Sequence, residues 1–144
     1  MSTEKEERLD GFQYWLMEMD DAIEYFMKSI PNEISIKLDY TPESLLVLEE
    51  YILHKYADIE SARKKSEAKF FDGASRYLGE LFRKLDGGKW YIELERKDNF
   101  FYGLPQVVGG KNQVTQLCPL ALVRASTDRR KGDYLYKILM NRIK

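Results

Sequence analysis

Cysteine and histidine are almost absent from this chain of 144 residues, which has one of each, Cys118 and His54. A single cysteine excludes an internal disulfide, and a reducing cytoplasm is the compartment we expect. A zinc site needs three or four suitable ligands, and a nucleophilic cysteine needs a base within hydrogen-bond reach. We therefore predict no metal and no cofactor, with Cys118 packed as a small apolar residue and His54 on a helix surface.

Long apolar runs and phosphate-binding loops are also missing. No run approaches the roughly 18 apolar residues that cross a bilayer, so we expect no membrane partner. Gly87-Gly88-Lys89 follows a predicted helix and Gly109-Gly110-Lys111 precedes none, so both are interpreted as turns rather than phosphate loops. A hydrophobic fraction of 44% and this length are typical of one folded domain, residues 1–144.

Charge is present in quantity and is unevenly distributed. Residues 1–60 hold 5 Lys and Arg against 15 Asp and Glu, whereas residues 61–144 hold 18 against 9. The net charge of −1 therefore conceals an acidic first half and a basic second half. Such an asymmetry indicates either a binding surface or two solvated faces of one domain.

The first half of the chain is predicted to be helical. Apolar residues recur every three or four positions over 3–29, which predicts one long helix followed by an extended connector at 34–38. Thr41 and Pro42 have the residue types of an N-cap and a first helical position, so a second helix is expected there. A third helix is predicted over residues 59–86.

The candidate partner surface lies on the first predicted helix. Its outer arc carries Glu18, Asp21 and Glu24, and Asp20 lies near the boundary of that arc. Carboxylates repel nucleic acid and attract basic proteins, so this surface favours a protein partner.

The second half of the chain predicts a small sheet. After Gly87 and Gly88, apolar and polar residues alternate from Trp90 to Glu95, as in a half-buried strand. A return strand is predicted at 100–104, a turn at 109–112 and a third strand near 114–117, followed by a short helical turn after Pro119 and a helix at 131–143. The predicted fold is α+β: N-terminal helices packed on a three-stranded antiparallel meander, with a C-terminal helix. We expect a core that joins all of these elements, made of Trp15, Leu48, Tyr77, Leu81, Trp90 and Ile138.

Three short motifs resemble a diffuse group of small bacterial α+β proteins. They are the segment 38–45 (LDYTPESL), the segment Tyr77-Leu78-Gly79-Glu80, and the step Gly87-Gly88-Lys89-Trp90. The likeness covers about residues 38–143, and some members of that group are immunity or accessory proteins of bacterial toxin systems. In physical terms, Gly79 would let another element approach closely, and Glu80 would accept a hydrogen bond from a backbone N–H or from the indole of Trp90.

Three functions compete at this point. The first is a non-enzymatic bacterial interaction protein, of immunity type, that holds a protein partner through its acidic face. The second is nucleic-acid binding through basic residues of the second half: Arg63, Lys64, Lys65, Lys69, Arg129, Arg130 and Lys131. The third is an enzyme with an acidic site built from Glu80, Glu93 and Glu95, for which alternating carboxylates on a solvated strand face are the simpler interpretation. The oligomeric state does not follow from the residues.

Overall fold

The structure is a computed structural model, which describes residues 3–111 and 116–143. This part of the chain contains eight α-helices, one 3₁₀ turn and one two-stranded sheet. Helical residues make up 64% of it. The helices are α1 (Glu4–Met17), α2 (Met19–Ser29), α3 (Asn32–Ser35), α4 (Ser44–Lys55), α5 (Ile59–Ala62), α6 (Ala68–Asp86), α7 (Pro119–Arg129) and α8 (Tyr134–Ile143). The 3₁₀ turn is Lys65–Glu67, and the strands are β1 (Gly87–Tyr91) and β2 (Gln106–Gly110).

Helix α6 forms the centre of the core. It buries eleven of its nineteen residues, and α2, α7, α8 and both strands pack against it. Gly73 permits the contact with α2, because a Cβ at this position would lie 2.6 Å from Cδ1 of Phe26. The two helices therefore approach more closely than any residue with a side chain would allow.

The long helix expected over residues 3–29 is broken at Glu18, between α1 and α2. In an uninterrupted helix the carbonyl of Trp15 accepts only the N–H of Met19. Here that carbonyl accepts a hydrogen bond of 2.7 Å from Nη1 of Arg76, on α6. A side chain that enters the helical ladder is an established cause of a kink, and this one is not visible in the local sequence.

The predicted three-stranded meander is wrong, although the fold is still α+β. In the part of the chain that the structure describes, the sheet has two antiparallel strands, with Gly87 opposite Gly110 and Tyr91 opposite Gln106. The turn expected at Gly109 and Gly110 is part of β2, and the strand expected to continue to Glu95 ends at Tyr91.

The return strand expected at 100–104 is instead part of a compact loop. The N–H of Gly103 donates to the carbonyl of Glu93 at 2.9 Å, which closes the loop, and Gly103 adopts a φ of +76° that favours glycine. Phe100 is 88% exposed at the tip of the loop. The run Phe100-Phe101-Tyr102 has strand-like composition but lacks the alternation of a half-buried strand.

The third predicted strand falls partly outside the described residues, since 114 and 115 are not among them. Leu117 makes an isolated antiparallel bridge with Val107, and the N–H of Val107 donates to the carbonyl of Leu117 at 2.8 Å. The helical turn expected after Pro119 is a full helix of eleven residues, α7.

Other local predictions need correction in the first half. Residues 32–35 form the short helix α3, where an extended connector was expected. The hydroxyl of Thr41 donates to Asp39 at 2.6 Å, so it does not cap α4, which starts at Ser44. The third predicted helix is divided into α5, the 3₁₀ turn and α6.

The predicted core is half correct. Leu48, Tyr77 and Leu81 are fully buried and belong to one cluster. Trp15, Trp90 and Ile138 are only half-buried, although Trp90 and Ile138 pack against that cluster. The tryptophans lie at the margin of the core because each indole N–H reaches an ionised side chain near the surface, as described below.

Two buried carboxylates hold the ends of α8. At its start, Glu49 of α4 is fully buried and accepts hydrogen bonds from the N–H of Tyr134 (3.2 Å) and of Leu135 (2.8 Å). At its end, Nε of Arg142 donates to Asp86 at 3.0 Å, and both side chains are at least nine-tenths buried. The C-terminal helix is thus fixed by specific polar contacts as well as by its apolar face.

Candidate functional site

The four candidate carboxylates lie at the junction between α1 and α2. Glu18 is the junction residue, Asp20 and Asp21 occupy the first turn of α2, and Glu24 follows one turn later. All four are exposed. Negative charge at a helix N-terminus is favourable, because it faces the positive end of the helix dipole. The break at Glu18 therefore gives these residues a local structural role that a continuous helix would not.

Their pairing differs from residue to residue. Glu24 accepts a hydrogen bond of 2.9 Å from the Lys28 ammonium, which holds the pKa of that carboxyl below its ordinary value. Within residues 3–111 and 116–143, the side chains of Glu18, Asp20 and Asp21 make no hydrogen bond or ion pair. Three carboxylates at this junction are therefore available to a partner.

Large side chains accompany the free carboxylates. Tyr14 is 66% exposed, Met17 78% and Tyr25 54%. Together with Glu18 and Asp21 they follow helical offsets of three and four, so they lie along one side of α1 and α2, which we call the outer face. Glu18 keeps one helical hydrogen bond on each side of the break: its N–H donates to the carbonyl of Tyr14, and its carbonyl accepts from the N–H of Ala22.

Sequence reasoning missed the apolar half of this outer face. Tyr14, Met17 and Tyr25 occupy positions opposite the buried residues Met19, Ile23 and Phe26. That placement is readable from the sequence, because a tyrosine or methionine on the polar side of an amphipathic helix departs from the pattern.

A groove of about 510 Å³ runs beside the outer face, between α2 and the start of α6. Its lining includes the junction residue Glu18, Asp21 and Tyr25 from α2, and Lys69 and Asp72 from α6. The ammonium of Lys69 lies 3.8 Å from the centre of the Tyr25 ring, a cation–π contact that spans the groove.

A cluster of aromatic and charged residues closes one end of this region. Nε1 of Trp15 donates to Asp72 at 2.7 Å, and Nε of Arg76 donates to the same carboxylate at 2.8 Å. The guanidinium of Arg76 lies 4.2 Å from the Trp15 ring. Arg76 is only 4% exposed, so its charge is matched within the protein. These contacts join α1 to α6, and they give Trp15, Asp72 and Arg76 partners within the protein.

The motif residues around Trp90 pack together. The Trp90 ring lies against Gly79, where an added Cβ would collide with it, and its Nε1 donates to Glu80 at 2.9 Å. Gly87 and Gly88 have φ of +89° and +96° at the step from α6 to β1. The hydroxyl of Tyr77 shares a hydrogen bond of 2.7 Å with Ser44, and burial raises the pKa of Tyr77 to about 12.

The carboxylates considered for catalysis are occupied by structural contacts. Glu80 accepts from Trp90 and pairs with Arg83 at 2.7 Å. Glu93 accepts from the backbone N–H groups of residues 95 and 96, which lower the pKa of its carboxyl. Glu95 pairs with Lys5, on α1. Each of these three carboxylates is therefore engaged by a structural partner.

The lone histidine is exposed, whereas the lone cysteine is buried. His54 is exposed in the last turn of α4. Cys118 is 1% exposed, and burial raises the pKa of its thiol. A neutral, buried thiol is a poor nucleophile. No group of three or more His, Cys, Asp or Glu within the described residues is arranged to hold a metal ion.

The basic residues of the second half lie in two segments: Arg63 follows α5, with Lys65 just before α6 and Lys69 in its first turn, whereas Arg129 and Arg130 lie at the end of α7. Arg130, in the left-handed conformation after α7, donates to the carbonyls of Leu53 and Tyr56 at 3.0 Å each. Ser61 lowers the pKa of Asp58 by hydrogen bonding, and the charges of Arg130 and Lys64 lower it further, so the two basic segments meet around this carboxylate. Cations at helix C-termini complement the helix dipole.

Comparison of the chain with protein-family models, with curated proteins and with solved structures gives no match. Among the helices of residues 3–111 and 116–143, none has both the length and the apolar character that crossing a bilayer demands. The candidate functional site is therefore defined by its geometry alone: an exposed face of large side chains and unpaired carboxylates, next to a groove.

Proposed function

We propose that this chain is a non-enzymatic protein-binding module whose outer face binds a basic surface of a partner protein. The observation that carries the proposal is the alternation, along one helical side, of exposed Tyr14, Met17 and Tyr25 with unpaired Glu18 and Asp21. Tyrosine and methionine are enriched at protein interfaces, and tyrosine supplies contact area at low entropic cost.

The charge of the outer face selects the partner. Unpaired carboxylates repel nucleic acid and membranes of anionic lipid, and they accelerate association with a basic protein. The biological setting that we propose is a bacterial cytoplasm, with this chain as an immunity-type or accessory protein and a basic toxin, such as a nuclease, as its partner. The resemblance of the Tyr77–Glu80 and Gly87–Trp90 motifs supports that setting.

The experiment is a charge reversal with a matched control. Glu18→Lys/Asp21→Lys reverses the outer face, whereas Glu43→Lys/Glu60→Lys makes the same change of net charge at two exposed carboxylates elsewhere. Each variant is used to capture partners from the native lysate, and association with the purified captured protein is then timed at low and high salt. We expect the outer-face variant to associate at least about tenfold more slowly at low salt, and the control to differ little from wild type.

Two outcomes would contradict the proposal. One is normal association of the outer-face variant at low salt. The other is equal slowing by both double variants, which would assign the effect to net charge rather than to this face. If a captured protein associates equally fast with the wild type, the outer-face variant and the control variant, the proposal is likewise contradicted.

The two alternatives have less support. Of the basic residues that a nucleic acid would contact, Arg129 and Arg130 lie at the C-terminal end of α7, where the helix dipole disfavours phosphate, and Arg130 is already engaged by three carbonyls. The carboxylates of the enzymatic alternative, Glu80, Glu93 and Glu95, each have a structural partner.

A further inference from the structure

We infer that the groove between α2 and α6 receives one arginine or lysine side chain of the partner, and that Lys69 occupies this position in the free protein. The inference rests on the proposed function and specifies how the outer face recognises its partner. Lys69 would then act as an internal competitor, which a partner has to displace.

The position of Lys69 is the first step of the argument. Its ammonium lies over the Tyr25 ring at 3.8 Å, within the range of a cation–π contact. Tyr25 is 54% exposed and belongs to α2, whereas Lys69 is an exposed residue of α6. The contact shows that this ring accepts a cation from across the groove.

The second step concerns the other charges of the groove. Asp72 is paired with Arg76 at 2.8 Å, and Glu67 lies 3.8 Å from Lys55 and accepts the Tyr56 hydroxyl. Of the ionised residues that line the groove in the described chain, Glu18 and Asp21 therefore keep carboxylates without a partner. An incoming cation meets two free carboxylates there.

The third step is the shape of the groove. Phe26, Phe70 and Gly73 also line it, so it offers apolar surface beside the carboxylates. Arginine and lysine carry an apolar stem and a charged head, which matches this combination. A small inorganic cation would use the carboxylates but not the apolar lining.

The experiment measures binding of a tetraarginine peptide by calorimetry at about 10 mM ionic strength, where screening is weak. Lys69→Met removes the internal competitor, and Lys65→Met removes the same charge from an exposed lysine that does not line the groove. We expect Lys69→Met to bind the peptide about two- to fivefold more tightly than Lys65→Met does. Glu18→Gln/Asp21→Asn should bind it more weakly than Asp20→Asn/Glu24→Gln, which makes the same change outside the groove.

The outcomes separate this inference from the proposed function. If Lys69→Met and Lys65→Met bind the peptide equally, or if the two pairs of neutralised carboxylates behave alike, the inference is wrong. The proposed function would still stand whenever reversal of Glu18 and Asp21 slows association with the captured protein. If that reversal has no effect, the proposed function fails whatever the peptide does.

Discussion

At the scale of the residue, Gly79 illustrates how one missing side chain positions an element. Glycine inside a helix costs about 1 kcal/mol relative to alanine, so its presence in α6 requires a reason. The reason is the Trp90 ring, which occupies the space of a Cβ and donates its indole N–H to Glu80 one residue further on. Gly79 thus leaves space for the ring, and Glu80 accepts the hydrogen bond from its indole N–H.

This packing predicts that the effect of Gly79→Ala on stability changes sign when the Trp90 ring is removed. Gly79→Ala should destabilise the protein by about 1–3 kcal/mol, because the new methyl group displaces the Trp90 ring. In a Trp90→Ala background the same substitution should stabilise it by up to about 1 kcal/mol, since only the gain in helix propensity remains. Gly11→Ala is the control, because its Cβ would have no neighbour within 4 Å and should stabilise in both backgrounds. Urea unfolding gives all the free energies, and a destabilising Gly79→Ala without Trp90 would refute this account.

At the scale of the element, α8 owes its position to a residue of another helix. Most helices begin with a capping side chain from their own segment, whereas α8 uses the buried carboxylate of Glu49 from α4. The contact fixes the start of α8 against α4, because one carboxylate accepts two consecutive backbone N–H groups.

Removal of this carboxylate should be costly. Glu49→Ala leaves two backbone donors buried without acceptors, and we expect a loss of about 3 kcal/mol in the free energy of unfolding. Glu49→Gln keeps one acceptor oxygen and should lose about half as much. Glu50→Ala, at the exposed neighbouring position, should change the free energy by less than about 0.5 kcal/mol. Equal effects of Glu49→Ala and Glu50→Ala in urea unfolding would show that the carboxylate does not hold α8.

The elements differ in how far the sequence predicts them. The amphipathic stripe of α6 and its glycine stop are local signals, so the helix, its end at Asp86 and the following strand are predictable. The break at Glu18 lies beside the hydrogen bond from Arg76 to the carbonyl of Trp15, and no local pattern contains a contact between residues 61 positions apart. The loop that carries Phe100 has the composition of a strand, and its closure between Gly103 and Glu93 is a tertiary hydrogen bond.

The candidate site was also only partly predictable from the sequence. Glu18, Asp20, Asp21 and Glu24 are a visible cluster in the sequence, and their exposure follows from the helical period. Their pairing does not, because it depends on which side chains approach from elsewhere. The groove could not be predicted, since it exists only where α2 and α6 meet.

At the scale of the whole molecule, the charges at several helix ends match the helix dipoles. Acidic residues occupy the first turns of α1 and α2, and basic residues stand at the ends of α4 and α7. The dipoles account for single clusters of charge but not for the imbalance between the halves, because α4 and its basic end belong to the acidic first half. The unpaired carboxylates of the outer face lie at one such end, and a partner would use charge that the fold already favours there.

The single thiol should report on opening of the whole molecule. Cys118 is 1% exposed, burial raises its pKa, and its neighbour in the chain, Leu117, belongs to the main core. We expect a disulfide reagent to modify the native protein at least about a thousandfold more slowly than the unfolded chain, in line with an ordinary folding free energy. The rate should rise with urea along the slope of global unfolding. Rapid modification without urea would mean that Cys118 is reached by a local opening.

The close approach of the two tryptophans has a consequence for spectroscopy. The chain has two tryptophans, Trp15 and Trp90, and their ring centres lie 4.8 Å apart in an edge-to-face pair. Excitation absorbed by either indole is therefore shared at a single place, where α1, α6 and β1 meet. Tryptophan emission of this protein is therefore a local signal: it follows the separation of that junction, whereas α8 contains no tryptophan.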